Sequence, residues 1–235
     1  MKKIMMIAVL IAVAQMGCSN AKPKVEPVSV EMKSLQDLMT KGSYDDALKM
    51  AADIADRVPA TADAPQALYL EGYILAYDKS DLQNSRPPLR KLLEAYPQSS
   101  YVVPAQKLIA DSQYWQGHYR GAGEEYKKLA AMGDANLSLY AKLQTGNAYL
   151  LDDKVGTALT HYQELIDKNP NTAIADSAQL MMANAYLKLQ NVSQAKKELK
   201  KLIDQSLNKD IQDSAQKALR QIEEEASFEK KQKTK

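Results

Sequence analysis

Few residues in this sequence of 235 could do covalent or proton chemistry. Cys18 is its single cysteine, so no internal disulfide can form and a thiol there would act alone. The two histidines, His118 and His161, have no second His at ligand spacing, and read as surface or interhelical groups. Carboxylates come in pairs, Asp152-Asp153 and Glu124-Glu125, at turns and helix starts, where negative charge suits the positive end of a helix dipole. No phosphate-cradling Gly-rich loop, His-Glu-x-x-His, cysteine cluster or Ser nucleophile elbow appears. Neither catalysis nor a bound metal or cofactor is expected. What remains is recognition. Asn147 and Asn184, with Asp111 in the corresponding place, could pair with the backbone of an extended peptide, an Asn amide offering donor and acceptor together. Tyr114, Trp115, Leu150, Leu187 and Lys188 lie one turn further along the same faces. The competing role for these Asn residues is a plain interhelical contact.

The correspondence among those positions comes from a repeat. From Asp153 to Pro170, Val155, Ala158, Leu159, Tyr162, Leu165 and Ile166 recur at steps of three and four, which predicts an amphipathic helix stopped by the proline. With Ala158 as marker, matching stretches carry Ala47, Ser85, Ala122 and Ala195, at successive intervals of 38, 37, 36 and 37 residues. A period of about three dozen residues holding two helices is the mark of a solenoid, in which no single pair can bury its own faces. Asp111, Asn147 and Asn184 each stand eleven residues before their marker, on the first helix of a pair. Small residues (Ala110, Gly146 and Ala183 on first helices, the markers on second helices) let two backbones approach, and Leu and Tyr fill between pairs. In the second repeat, Pro87-Pro88 predicts a helix that either starts late, near Pro87, or is kinked there, after a longer loop over 79–86. The pattern places five repeats over 31–208, a capping helix over 209–226 with Ile211, Ala215, Ala218, Leu219 and Ile222 on one face, and a charged, disordered tail over 227–235. The fold class expected is all-α.

Composition agrees. Phe and Trp occur once each and Tyr thirteen times, while Gly and Pro stand mostly between periodic segments. The net charge of +2 is supplied by Lys2 and Lys3; from Cys18 onward 29 basic side chains meet 29 acidic ones, so nucleic acid is not an expected partner. Lys2 and Lys3 precede an apolar run over 4–14, too short to span a bilayer and shaped like a secretory signal over residues 1–17. The segment ends Gln-Met-Gly-Cys, which resembles the bacterial lipoprotein box, with Gln15 where Leu is usual. That resemblance implies lipid on Cys18, an extended tether over 18–30, and, with Ser19 rather than Asp next, sorting to the periplasmic face of the outer membrane of a Gram-negative bacterium.

The stretch Gly146–Pro170, GNAYLLDDKVGTALTHYQELIDKNP, is similar to a tetratricopeptide repeat in its small–x–x–Tyr, its second-helix Ala and its closing Pro; Ala183–Ile203 matches nearly as well. That likeness implies a right-handed solenoid whose first helices line the binding surface. The segment Arg90–Ser112, RKLLEAYPQSSYVVPAQKLIADS, resembles the tetratricopeptide lipoproteins of the Gram-negative envelope, the BamD-like and CpoB-like (YbgF-like) group. Membership would imply a lipid-anchored scaffold for envelope proteins, in outer-membrane β-barrel assembly, or else as a Tol-Pal adaptor or a pilotin-like carrier of a secretin. Carboxylate-clamping tetratricopeptide domains place Lys four residues before the groove Asn; here Leu143 and Leu180 stand there, with Lys107 only before Asp111, so such a clamp is not expected.

Overall fold

The computed structural model describes residues 29–57 and 63–233, with side chains to 227. The expected signal sequence, Cys18 and the tether as far as residue 28 lie outside them, as does Pro59. Every described element is helical, and the chain divides into two compact units, one ending at Ser138 and the other running from Leu139.

The first unit holds three helix pairs: α1 (Val30–Thr40) with α2 (Tyr44–Arg57), α3 (Asp63–Tyr73) with α4 (Arg86–Ala95), and α5 (Val102–Trp115) with α6 (Tyr119–Met132). Ser29 caps α1 by accepting from the Met32 amide at 3.2 Å. The core joins Met32, Leu35, Leu68, Ile74, Leu89, Leu92 and Ile109 around small residues such as Ala47, Ala51 and Ala105. The second unit contains α7 (Ala135–Leu151) from residue 139 on, then α8 (Val155–Lys168), α9 (Ala173–Lys188), α10 (Val192–Gln205) and α11 (Lys209–Lys233). Its core packs Leu143, Tyr162, Leu165, Leu180, Met181 and Met182 with Leu199 and Leu202. Ile211, Ala215, Ala218, Leu219 and Ile222 of α11 close onto that core, the face expected of the cap. The helix runs on to Lys233, past residue 226, where the sequence pattern ends it in a disordered tail; the added stretch is strongly charged.

The register behind the repeat is visible in the turns. In all five pairs the marker amide bonds the carbonyl four residues back: Ala47 to Ser43, Ser85 to Asp81, Ala122 to His118, Ala158 to Lys154 and Ala195 to Asn191, at 2.9–3.1 Å. Five residues before each marker the backbone enters the left-handed region, at Gly42, Ser80, Gly117, Asp153 and Gln190, with φ between 55° and 78°. Four of these first helices end in the same 6→1 bond, from Ser43 to Leu38, His118 to Gln113, Lys154 to Tyr149 and Asn191 to Tyr186. That closure needs a residue with positive φ at its centre.

The second pair departs from this. Its closing bond, Asp81 to Leu75, spans one residue more, and the extra residue is taken up as a π-helical turn over Ile74–Asp78 with Lys79 bonded to Ile74. Ile74 and Ala76 are the buried residues of that turn, while Leu75 is half-buried. The prolines behave as expected: α4 starts at Arg86 with Pro87 and Pro88 in its first turn, where no amide is needed, after a loop over 79–85.

Candidate functional site

Two of the residues eleven before a marker, Asp111 and Asn147, prove to be paired across the helices. Asp111 is 3% exposed; it accepts from the Tyr126 hydroxyl at 2.7 Å and from Lys107 at 2.6 Å. Asn147 is 6% exposed and accepts from Tyr162 at 2.8 Å, its amide nitrogen donating to Gln144 at 3.0 Å. Tyr126 and Tyr162 each stand four residues after their marker, so one register sets both bonds. The fifth repeat has Leu199 there, and the half-buried Asn184 amide turns to the Met181 sulfur at 3.9 Å. Asp111 and Asn147 thus hold first helix to second helix, and Asn184 is the more accessible of the three.

The remaining candidates separate by unit. Tyr114 leans inward, edge-on to Tyr119 and Tyr126, and burial pushes its phenol up to about 12. Lys188 donates to the Leu150 carbonyl at 2.7 Å and pairs with Asp153 at 3.0 Å, tying the end of α9 to the end of α7. Leu150 and Leu187 lie half-buried against the core of the second unit. Trp115 is 49% exposed at the end of α5.

Trp115 belongs to a surface the sequence pattern does not single out. Tyr69, Tyr73 and Tyr77 stand four apart along α3 and its π turn, and with Tyr101 and Trp115 of the fifth helix region they form one aromatic row. Ring centroids step by 5.4 Å from Tyr101 to Tyr69, 6.3 Å to Tyr73, 4.6 Å to Tyr77 and 5.6 Å to Trp115. Tyr77 is 47% exposed and Tyr73 36%. In an α-helix each step of four overshoots a full turn by about 40°. The wider π turn takes back part of that drift, which keeps Tyr77 over Tyr73 and against Trp115. Burial, the largest cause in each case, raises the phenols of Tyr69 (to about 12), Tyr77 and Tyr101, so all three remain hydroxyl donors in the physiological range. The signal for this row was a run of Tyr at spacing four, 69, 73 and 77.

Glu125, expected as a carboxylate at a helix start, is instead buried on α6 where it accepts from Arg90 at 2.8 Å, Gln106 at 2.8 Å and Lys128 at 3.1 Å. Burial pushes its carboxyl up, but these three donors together outweigh burial and hold it below the ordinary value. His118 is exposed at the turn before α6, and His161 packs on Tyr149 with ring centroids 5.2 Å apart. Among the described residues no group of three or more His, Cys, Asp or Glu could hold a metal ion, and no helix is long and apolar enough to cross a membrane.

Two family models, each described as tetratricopeptide repeat, match residues 33–100, 140–172 and 177–206. Among solved structures the chain is similar to MamA from Desulfovibrio magneticus RS-1, at 18% identity over 74% of this chain and 92% of that one, with a TM-score of 0.56. It is likewise similar to YrrB, described as a TPR protein with an unusual peptide-binding site, at 15% identity over 80% of this chain and 90% of that one, TM-score 0.56. At these identities the likeness is one of fold. No curated protein sequence matches the chain.

Proposed function

We propose that this tetratricopeptide-repeat protein is a lipid-anchored periplasmic scaffold that binds other envelope proteins and serves outer-membrane β-barrel assembly. The binding half is carried by one observation: the first-helix side of its second and third repeats exposes a row of aromatic rings, the residue type that dominates binding energy at protein interfaces. Such repeats commonly work as platforms for protein segments, and the peptide-binding site described for YrrB is in keeping with that. The anchoring half is supported by Lys2-Lys3, the apolar run over 4–14 and the lone Cys18 behind a small residue. A lipid at that position adds membrane-local concentration to whatever affinity the repeats supply.

The test is extraction of the full chain from membranes, followed by mass spectrometry of its mature N-terminus and of co-purifying proteins. An acylated Cys18 at the N-terminus and a β-barrel assembly component are the expected results. An unmodified thiol would overturn the anchor. A Tol-Pal component or a secretin as sole partner would overturn the assembly role while leaving a scaffold.

A further inference from the structure

We infer that the aromatic row Tyr101–Tyr69–Tyr73–Tyr77–Trp115 is a docking site for a neutral, proline-rich segment of a partner protein in the extended polyproline II conformation. This rests on the scaffold reading above and names the chemistry of what the scaffold holds.

Charge argues first. The cations beside the row are already matched: Lys107 lies 2.6 Å from Asp111, and Lys79 2.7 Å from Asp45, while Asp78 is hydrogen-bonded to Tyr44. The row therefore offers no free cation to an acidic segment, and the one carboxylate left over, Asp78, is engaged by Tyr44 outside the row, so a neutral segment suits it best. Single-stranded nucleic acid also stacks on aromatic rows, but requires a basic groove beside them.

Hydrogen bonding argues second. Among the described residues no hydrogen bond engages the hydroxyls of Tyr69, Tyr73, Tyr77 or Tyr101, which leaves a line of phenol donors over apolar ring faces. An α-helical partner spends its carbonyls internally, and a β-strand presents an amide beside every carbonyl, so each phenol would have to accept from one as well as donate to the other. A polyproline II segment has no internal hydrogen bonds, so its carbonyls are free to accept, and each proline removes a donor that would need an acceptor. Ring geometry argues third. Neighbouring rings are tilted by 34–47°, and Trp115 stands at 69° to Tyr77, giving ridges with clefts between them. Clefts between aromatic rings seat proline rings in known polyproline recognition, whereas a flat sugar face asks for coplanar rings.

Trp115 is the only tryptophan in the chain, so its emission reports on the row directly. The full chain is titrated with a synthetic decaproline, with an amphipathic helical peptide and with a chito-oligosaccharide, and each titration is repeated by calorimetry. Decaproline is expected to shift Trp115 emission saturably, and Tyr77→Ala and Tyr73→Ala are each expected to weaken it at least tenfold with unchanged helix content by circular dichroism. No saturable binding of decaproline up to millimolar concentration would overturn the inference, as would equal affinity in both folded variants or binding of the helix or sugar alone. Failure here with an envelope partner still co-purifying removes the proline-rich chemistry only; loss of every partner removes the scaffold reading itself.

Discussion

Helices α5 and α6 in the first unit and α9 and α10 in the second hold the same glutamine–glutamate pair nineteen residues apart, and set it in different surroundings. Gln106 donates to Glu125 at 2.8 Å and Gln179 to Glu198 at 3.0 Å. Around Glu125, Arg90 of α4 and Lys128 of α6 close in and the carboxylate is buried; Glu198 stays half-buried. The tyrosine bonds repeat the contrast, with a carboxylate and a lysine at Asp111 and a neutral amide at Asn147. The repeat register fixes where a polar partner must stand, because a buried hydroxyl or amide without one costs about 1–3 kcal/mol. Whether that partner carries charge depends on the cations nearby. The unit with these charged joints also bears the exposed aromatic row, so that row rests on helices cross-linked by ionic hydrogen bonds.

Paired substitutions, one in each unit, can break or sharpen this contrast. The largest effect is expected at Gly72, where an added Cβ would meet Leu89 Cγ at 2.5 Å and the Ser85 carbonyl at 2.9 Å. Backbone cannot give way as a side chain can, so Gly72→Ala should cost about 3 kcal/mol in denaturant unfolding. In the second unit the nearest atoms to a Cβ in Gly146→Ala belong to the Tyr162 ring, at 2.6 Å, and the change should cost about 1–2 kcal/mol; the reverse order would contradict the packing described. Next, Glu125→Gln should cost about 2 kcal/mol, since it weakens bonds from three donors, while Glu198→Gln should cost less than about 1 kcal/mol.

Acid offers a finer separation. Because the folded carboxyl of Glu125 lies below its ordinary 4.5, its stabilisation is present above that value and is lost as pH falls through the folded value. Hydrogen exchange in α4–α6 should therefore show the wild-type advantage over Glu125→Gln shrinking from pH 6 to pH 3. A constant gap would mean the ionised carboxylate is not the source. The smallest effect is at the turns: Gly117→Ala forces a Cβ into the left-handed region and should lower stability by about 1 kcal/mol, whereas Gln190→Gly should raise it by a few tenths.

Much of this was open to reading in the linear chain. The small markers, the closing proline after α8 and the late start forced by Pro87-Pro88 depend on local propensity and a short period, and the five pairs follow them. What stayed hidden were features with no dedicated residue type. Ser80, Asp153 and Gln190 take the left-handed place that Gly42 and Gly117 advertise, held there by the hydrogen bonds that close the turn. The π turn arises from one surplus residue, which the 38-residue step between Ala47 and Ser85 hints at without saying where it falls. Asp111 and Asn147 looked like recognition residues because the pattern marks a face, while their tyrosine partners four residues past the marker read as ordinary core. The aromatic row needed α3 and α5 side by side before its rings could be seen as one surface.

The most direct test of the account places a photo-crosslinking phenylalanine at position 77 of the full chain in cells, and in a parallel variant at position 187. The account predicts an adduct with an envelope protein from position 77, competed away by free decaproline, and none from position 187. An adduct from position 187 alone would contradict it.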